Sequence, residues 1–186
     1  MQKNYIDSII KQFQYYKTLG EKTFDQLSDE EVLWQFDPES NSVAIIVNHL
    51  HGNMKSRWTD FLTSDGEKEW RNRDNEFENI IGTKEQMLSK WNEGWECLFK
   101  ALKSINSENF DNKVYIRNQS HTIIEAVNRQ LSHYSYHIGQ IVFIGRMIKG
   151  SSWKSLSIPK GESSEFNEKM FSKGKHSGHF TDDLIQ

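Results

Sequence analysis

The chain has 186 residues, with 26 acidic against 23 basic side chains and a formal charge of −3. That balance lacks the cationic excess needed to neutralise nucleic-acid phosphates, and the length suits one domain, 1–186, with a core of its own. Cys97 is the only cysteine, which excludes an intrachain disulfide; the start MQKNYIDSIIKQF has neither the apolar run of a signal peptide nor a membrane span, so the expected setting is the cytoplasm.

Ile6, Ile9, Ile10, Phe13 and Tyr16 recur at three- and four-residue steps and predict a first helix from about Asn4 to Leu19, with Gly20 as its stop. A short connector follows, opened by Ser28 and Glu31 as a capping box and closed before Asp37-Pro38. The second long helix starts near Asn41 or Ser42, carries Val43, Ile46, Val47, Leu50, Met54, Trp58 and Phe61, and ends at Ser64-Asp65-Gly66. His49 sits at its middle.

After the charged loop EKEWRNRDNEFEN, Thr83 and Gln86 read as a second capping box. Leu88, Trp91, Trp95, Leu98, Phe99 and Leu102 then mark a third amphipathic helix, with the two tryptophans as core or interface filling. Cys97 lies in this apolar setting and reads as a small hydrophobe, not a nucleophile. Periodicity lapses between Ile105 and Ser120, where Val114-Tyr115-Ile116 suits either an extended stretch or a packed loop. Thr122 and Glu125 form a third capping box and open the fourth long helix, which runs to Gly150. Beyond it come a helical turn or two around Glu165 to Phe171 and a polar tail with His176 and His179. This element count predicts an all-α fold: a four-helix bundle to about residue 150, with short extra helices and a C-terminal extension, 151–186, packed on it.

His133 and His137 are four residues apart on one helix, so their imidazoles project from one face one turn apart, a chelating arrangement for a transition metal. Spacing alone also suits two histidines hydrogen-bonded to neighbours. His49, on the second long helix beside Ile46, Leu50 and Asn53, is the natural third ligand. His51, rotated by about 200° from it, cannot face the same centre. Asn53 and Gln140 are candidates to hydrogen-bond an imidazole or a ligand, or are polar spacers at a helix seam. Arg57 is placed either to attract an anionic carboxylate or to pair with Asp60.

The run His133-Tyr134-Ser135-Tyr136-His137-Ile138-Gly139-Gln140 resembles the HxxxHxGQ signature of the DinB/YfiT-like superfamily, and VNHLHGNMKSRW resembles the segment that supplies its third histidine. SNSVAIIVNHLHGNMKSRWTDFLTSDGEKEWRNRD and LSIPKGESSEFNEKMF resemble a bacterial branch of that superfamily known mainly as a domain of unknown function. The resemblance implies an up-down-down-up four-helix bundle, a mononuclear metal centre of His49, His133 and His137, and homodimers. Its related activities include thiol S-transfer with bacillithiol-type thiols as well as hydrolase-like reactions. Ile138 stands where many members carry Arg. Three neutral ligands leave a divalent ion (Zn or Ni ahead of Fe) its full charge and open positions for a substrate. The expected function is therefore metal-dependent transfer of a small-molecule thiol onto a small electrophile. Activation of water for hydrolysis and a non-catalytic, metal-stabilised binding or dimerisation module are the alternatives.

Overall fold

In the computed structural model, residues 2–182 are described and the chain is mostly helical. Four long helices, α1 (Gln2–Phe24), α3 (Val43–Trp58), α4 (Lys84–Lys103) and α5 (Ile123–Lys149), enclose the core, with short helices α2 (Asp29–Leu33) and α6 (Ser163–Ser172) between and after them. Helix α1 packs on α5 and α3 on α4, while α3 also meets α5 and α1 meets α4. All four converge on one aromatic cluster: Phe13 of α1 makes ring contacts with Trp58 of α3, Trp95 of α4 and Tyr134 of α5. No described helix is long and apolar enough to cross a membrane.

The helix starts follow local chemistry. Ser28 and Thr122 each accept from the backbone of the residue three ahead, whose glutamate returns the bond to the cap's own N–H. Thr83 caps α4 through Gln86 N–H, but the Gln86 side chain reaches back to Gly82 N–H at 2.9 Å, so that box is not reciprocal.

Helix α1 does not stop at Gly20 but continues to Phe24. Gly20 is instead a close-approach glycine, because a Cβ there would strike the Trp91 indole of α4. Helix α3 ends at Trp58, before Phe61, in a turn where Asp60 adopts φ 49°. The undecided stretch is a hairpin, with β1 (Lys113–Ile116) antiparallel to β2 (Gln119–Thr122). Arg117 and Asn118 at its tip both have positive φ, as a two-residue turn of matching twist requires. Asp65 ties this tip to the end of α3 by accepting from both backbone N–H groups at 2.8 Å. The tail is docked on α1 through Ser8 with His179 and Lys11 with Asp182.

Thirteen of the sixteen residues of α3 are buried, Asn48, His49, Asn53 and Arg57 among them. Polar side chains taken out of water need partners. Where those partners lie defines the candidate site.

Candidate metal centre

His49 is presented by the middle of α3, and His133 and His137 by one face of α5. Their side chains meet: His133 Nε2 lies 3.3 Å from His49 Nε2 and 3.1 Å from His137 Nε2, and one nitrogen of each falls within 4.8 Å of the others. Two nitrogens each about 2.0 Å from one tetrahedral ion would stand about 3.3 Å apart, so the spacing fits a shared cation. The three histidines thus lie close enough to bind one metal ion.

The opposite ring nitrogens decide which way the lone pairs face. His49 Nδ1 donates to Glu76 Oε2 at 2.9 Å, and His137 Nδ1 donates to Gln140 Oε1 at 2.8 Å. Each bond places a proton on Nδ1 and leaves the lone pair on Nε2, aimed at the common point. Burial, reinforced by the charges His137 and His49 would carry, pushes His133 down to about 3. Burial, followed by His49, pushes His137 down to about 4. Both rings are therefore neutral at pH 7, the state a metal ligand needs.

Glu76 has no counterpart in the sequence reading. It lies in a 3₁₀ turn, Asp74–Phe77, which Asn48 clamps to α3 by donating to the carbonyls of Asn75 at 3.2 Å and Glu76 at 3.0 Å. The Glu76 carboxylate receives Arg71 Nε at 2.7 Å and Arg71 Nη2 at 2.9 Å besides His49. Burial by itself raises this carboxyl, but the hydrogen bonds from His49 and Arg71 and the Arg71 charge outweigh it and hold it below the ordinary glutamate value. Gly52 makes room, since a Cβ at that position would run into the carboxylate. Phe77, beside Glu76, stacks on the His49 ring with centroids 4.6 Å apart. A glycine inside a helix, three residues after a histidine, was the one sequence signal of this close approach.

Other candidates are placed differently. Asn53 bonds none of the three imidazoles; its Oδ1 accepts from Tyr134 OH at 3.0 Å, and that hydroxyl accepts from Trp58 Nε1 at 2.9 Å. Arg57 does not pair with Asp60. It is buried, donates to the Gly66 carbonyl and meets Glu67 at 3.1 Å. His51 faces Glu93, away from the centre, and His121 lies on β2 with its Nδ1 bonded to Gln119 O. His176 is exposed at the surface, and His179 bonds Ser8 and Thr181. Cys97 is half-buried against Thr59, and Trp91 and Trp95 belong to the core.

The centre is open on one side. A cleft of about 190 Å³ has His49, His133, Asn53 and Gln130 among its walls, so a small molecule can reach the histidines from solvent.

No curated protein and no solved structure matches the chain. One family model does, described as a protein of unknown function (DUF1572), over residues 1–162. The match takes in all three histidines, Glu76 and the whole hairpin and ends just before α6. The chain therefore belongs to the DUF1572 family.

Proposed function

We propose that this chain is a DinB-like enzyme whose three histidines hold one divalent transition metal, zinc or nickel ahead of iron, and that it transfers a small-molecule thiol onto a small electrophile. The observation that carries the reading is the convergence of three Nε2 atoms with no carboxylate among them, beside an open cleft. Four long helices, with the ligands on the second and fourth, are also what the DinB-like up-down-down-up bundle would supply. Homodimers belong to the same reading.

A divalent ion held by neutral ligands supplies a Lewis acid that lowers the pKa of a bound thiol. The chain's own groups prepare the site for it. Glu76 and Gln140 each hold a proton on the far nitrogen of a histidine, Phe77 covers one face of His49, and the cleft that His49 and His133 line admits substrate. In the overall reaction a sulfur–carbon bond forms, the bond from that carbon to its leaving group breaks, and the thiol proton departs with the leaving group.

The test is elemental analysis of protein purified without a metal-affinity tag, alongside His49→Ala, His133→Ala and His137→Ala. The reading expects one transition-metal ion per chain, lost in each variant, and metal-dependent conjugation of low-molecular-weight thiols to chloro- or epoxide electrophiles. Wild-type protein that takes up no metal would refute the centre. Bound metal without turnover across a broad thiol panel would refute the transferase assignment.

A further inference from the structure

The cleft beside the histidines is walled by cations. Arg57 of α3, Arg71 and Arg73 of the following loop, Arg117 of the hairpin tip and Arg129 of α5 all line it, and no acidic side chain among the described residues does. Two carboxylates pair with this group: Glu67 with Arg57, Arg71 and Arg117, and Glu76 with Arg71. Five guanidiniums against two carboxylates leave an excess of three positive charges, in a chain whose overall formal charge is −3. Among the described residues, the exposed Arg73 pairs with no carboxylate and Arg129 meets only the His121 ring, at 3.3 Å. Like charges gathered at a concave site raise a positive potential that draws anions in.

A second observation points the same way. Arg57, only 6% exposed and on the cleft wall, has a buried Nε–H with no hydrogen-bond partner among the described residues, a donor left for an acceptor to complete. Gln130 Oε1 on the same cleft is buried without a partner as well, but an amide oxygen accepts, so it asks for a donor and not for an anion's oxygen. Buried polar groups left unpaired in the protein are ordinarily completed by something else.

The size limits the occupant. At about 190 Å³ the cleft is smaller than the roughly 300–1,000 Å³ of pockets that enclose a whole drug-sized ligand. It holds a headgroup, with the rest of the molecule elsewhere. We propose that the arginine cleft binds the carboxylate or phosphate headgroup of the substrate, so that the enzyme acts on small organic anions whose reactive end lies at the three histidines. This rests on the catalytic reading of the histidine centre given above. Planar guanidiniums pair two-pronged with carboxylate or phosphate oxygens, and His49 and His133 form the wall that cleft and centre share.

The experiment is calorimetric titration of the full chain, metal-free and zinc-loaded, with succinate, inorganic phosphate and the neutral control succinamide. Arg73→Gln and Arg129→Gln, singly and together, are the variants, since both side chains are exposed and neither supports the core. The metal-free protein is expected to bind succinate or phosphate and not succinamide. The double variant is expected to weaken that binding about tenfold or more while its zinc content is unchanged. The tighter of the two anions identifies the headgroup. Failure of both anions to bind, or equal binding by the double variant, would overturn the proposal. So would binding confined to the zinc-loaded form and insensitive to both substitutions. Zinc uptake without anion binding removes the cleft and leaves the metal centre standing; arginine-dependent anion binding without zinc uptake does the reverse.

Discussion

Glu76 is where the candidate centre is most exposed to a decisive test. Its carboxylate takes three side-chain hydrogen bonds, from His49 Nδ1 at 2.9 Å and from Arg71 Nε and Nη2 at 2.7 and 2.9 Å. In Glu76→Ala all three donors lose their acceptor, and the buried Arg71 side chain keeps, among the described residues, only the carboxylate of Glu67, at 3.2 Å. Breaking a buried ion pair from one side costs about 3–5 kcal/mol of folding stability. Removing the carboxylate that orients a ligating imidazole costs about 10–100-fold in metal affinity. Glu76→Gln is gentler. Its single oxygen can keep His49 and Arg71 Nη2, but its NH₂ then faces Arg71 Nε–H, donor against donor, at a cost of about 1.5–3 kcal/mol. Equilibrium urea unfolding of metal-free protein reads the first quantity, and competition for zinc against a chromophoric chelator reads the second. Gly52→Ala, which pushes the carboxylate away without removing it, moves both in the same direction. Folded Glu76→Ala protein, or Glu76→Gln where the alanine variant does not fold, that binds zinc as tightly as wild type would refute the idea that this carboxylate aims His49.

Metal-free protein is expected to lose stability as pH falls below about 6.5. His133 and His137 titrate near 3 and 4 when folded and near 6.5 when unfolded, so across that window the unfolded chain binds more protons. Urea midpoints measured from pH 4 to 8 check this, and a pH dependence unchanged in His133→Ala/His137→Ala would contradict it. Tyr134→Phe removes the hydroxyl that accepts from Trp58 Nε1 and donates to Asn53 in the fully buried core, and is expected to cost about 1–3 kcal/mol. The same variant should leave zinc affinity nearly unaltered, because Asn53 touches none of the imidazoles; chelator competition shows whether it does.

Local spacing reveals in the sequence what is built within one element. His133 and His137 are a turn apart on any helix, and the caps at Ser28 and Thr122 announce themselves three residues ahead. Gly20 marks the limit of local spacing: as a string it reads as a helix stop, and only the Trp91 ring of a helix some seventy residues on explains why it is glycine. Glu76 is hidden for the same reason. It sits in a charged loop with no periodic relation to His49, and its role exists only once Asn48 has clamped that loop to α3. Arg57 has a plausible partner nearby in Asp60, but burial delivers it to Glu67. The hairpin was ambiguous because its two four-residue strands carry little alternating pattern, and its tip is fixed by Asp65 from a distant segment.

The Arg71 side chain touches both Glu76, which holds His49, and Glu67, which holds Arg57 and Arg117. An anion entering the cleft and an ion entering the histidine centre therefore share one guanidinium hinge. Equilibrium linkage makes any coupling through that hinge reciprocal: the factor by which the anion changes the ion's affinity is the factor by which the ion changes the anion's.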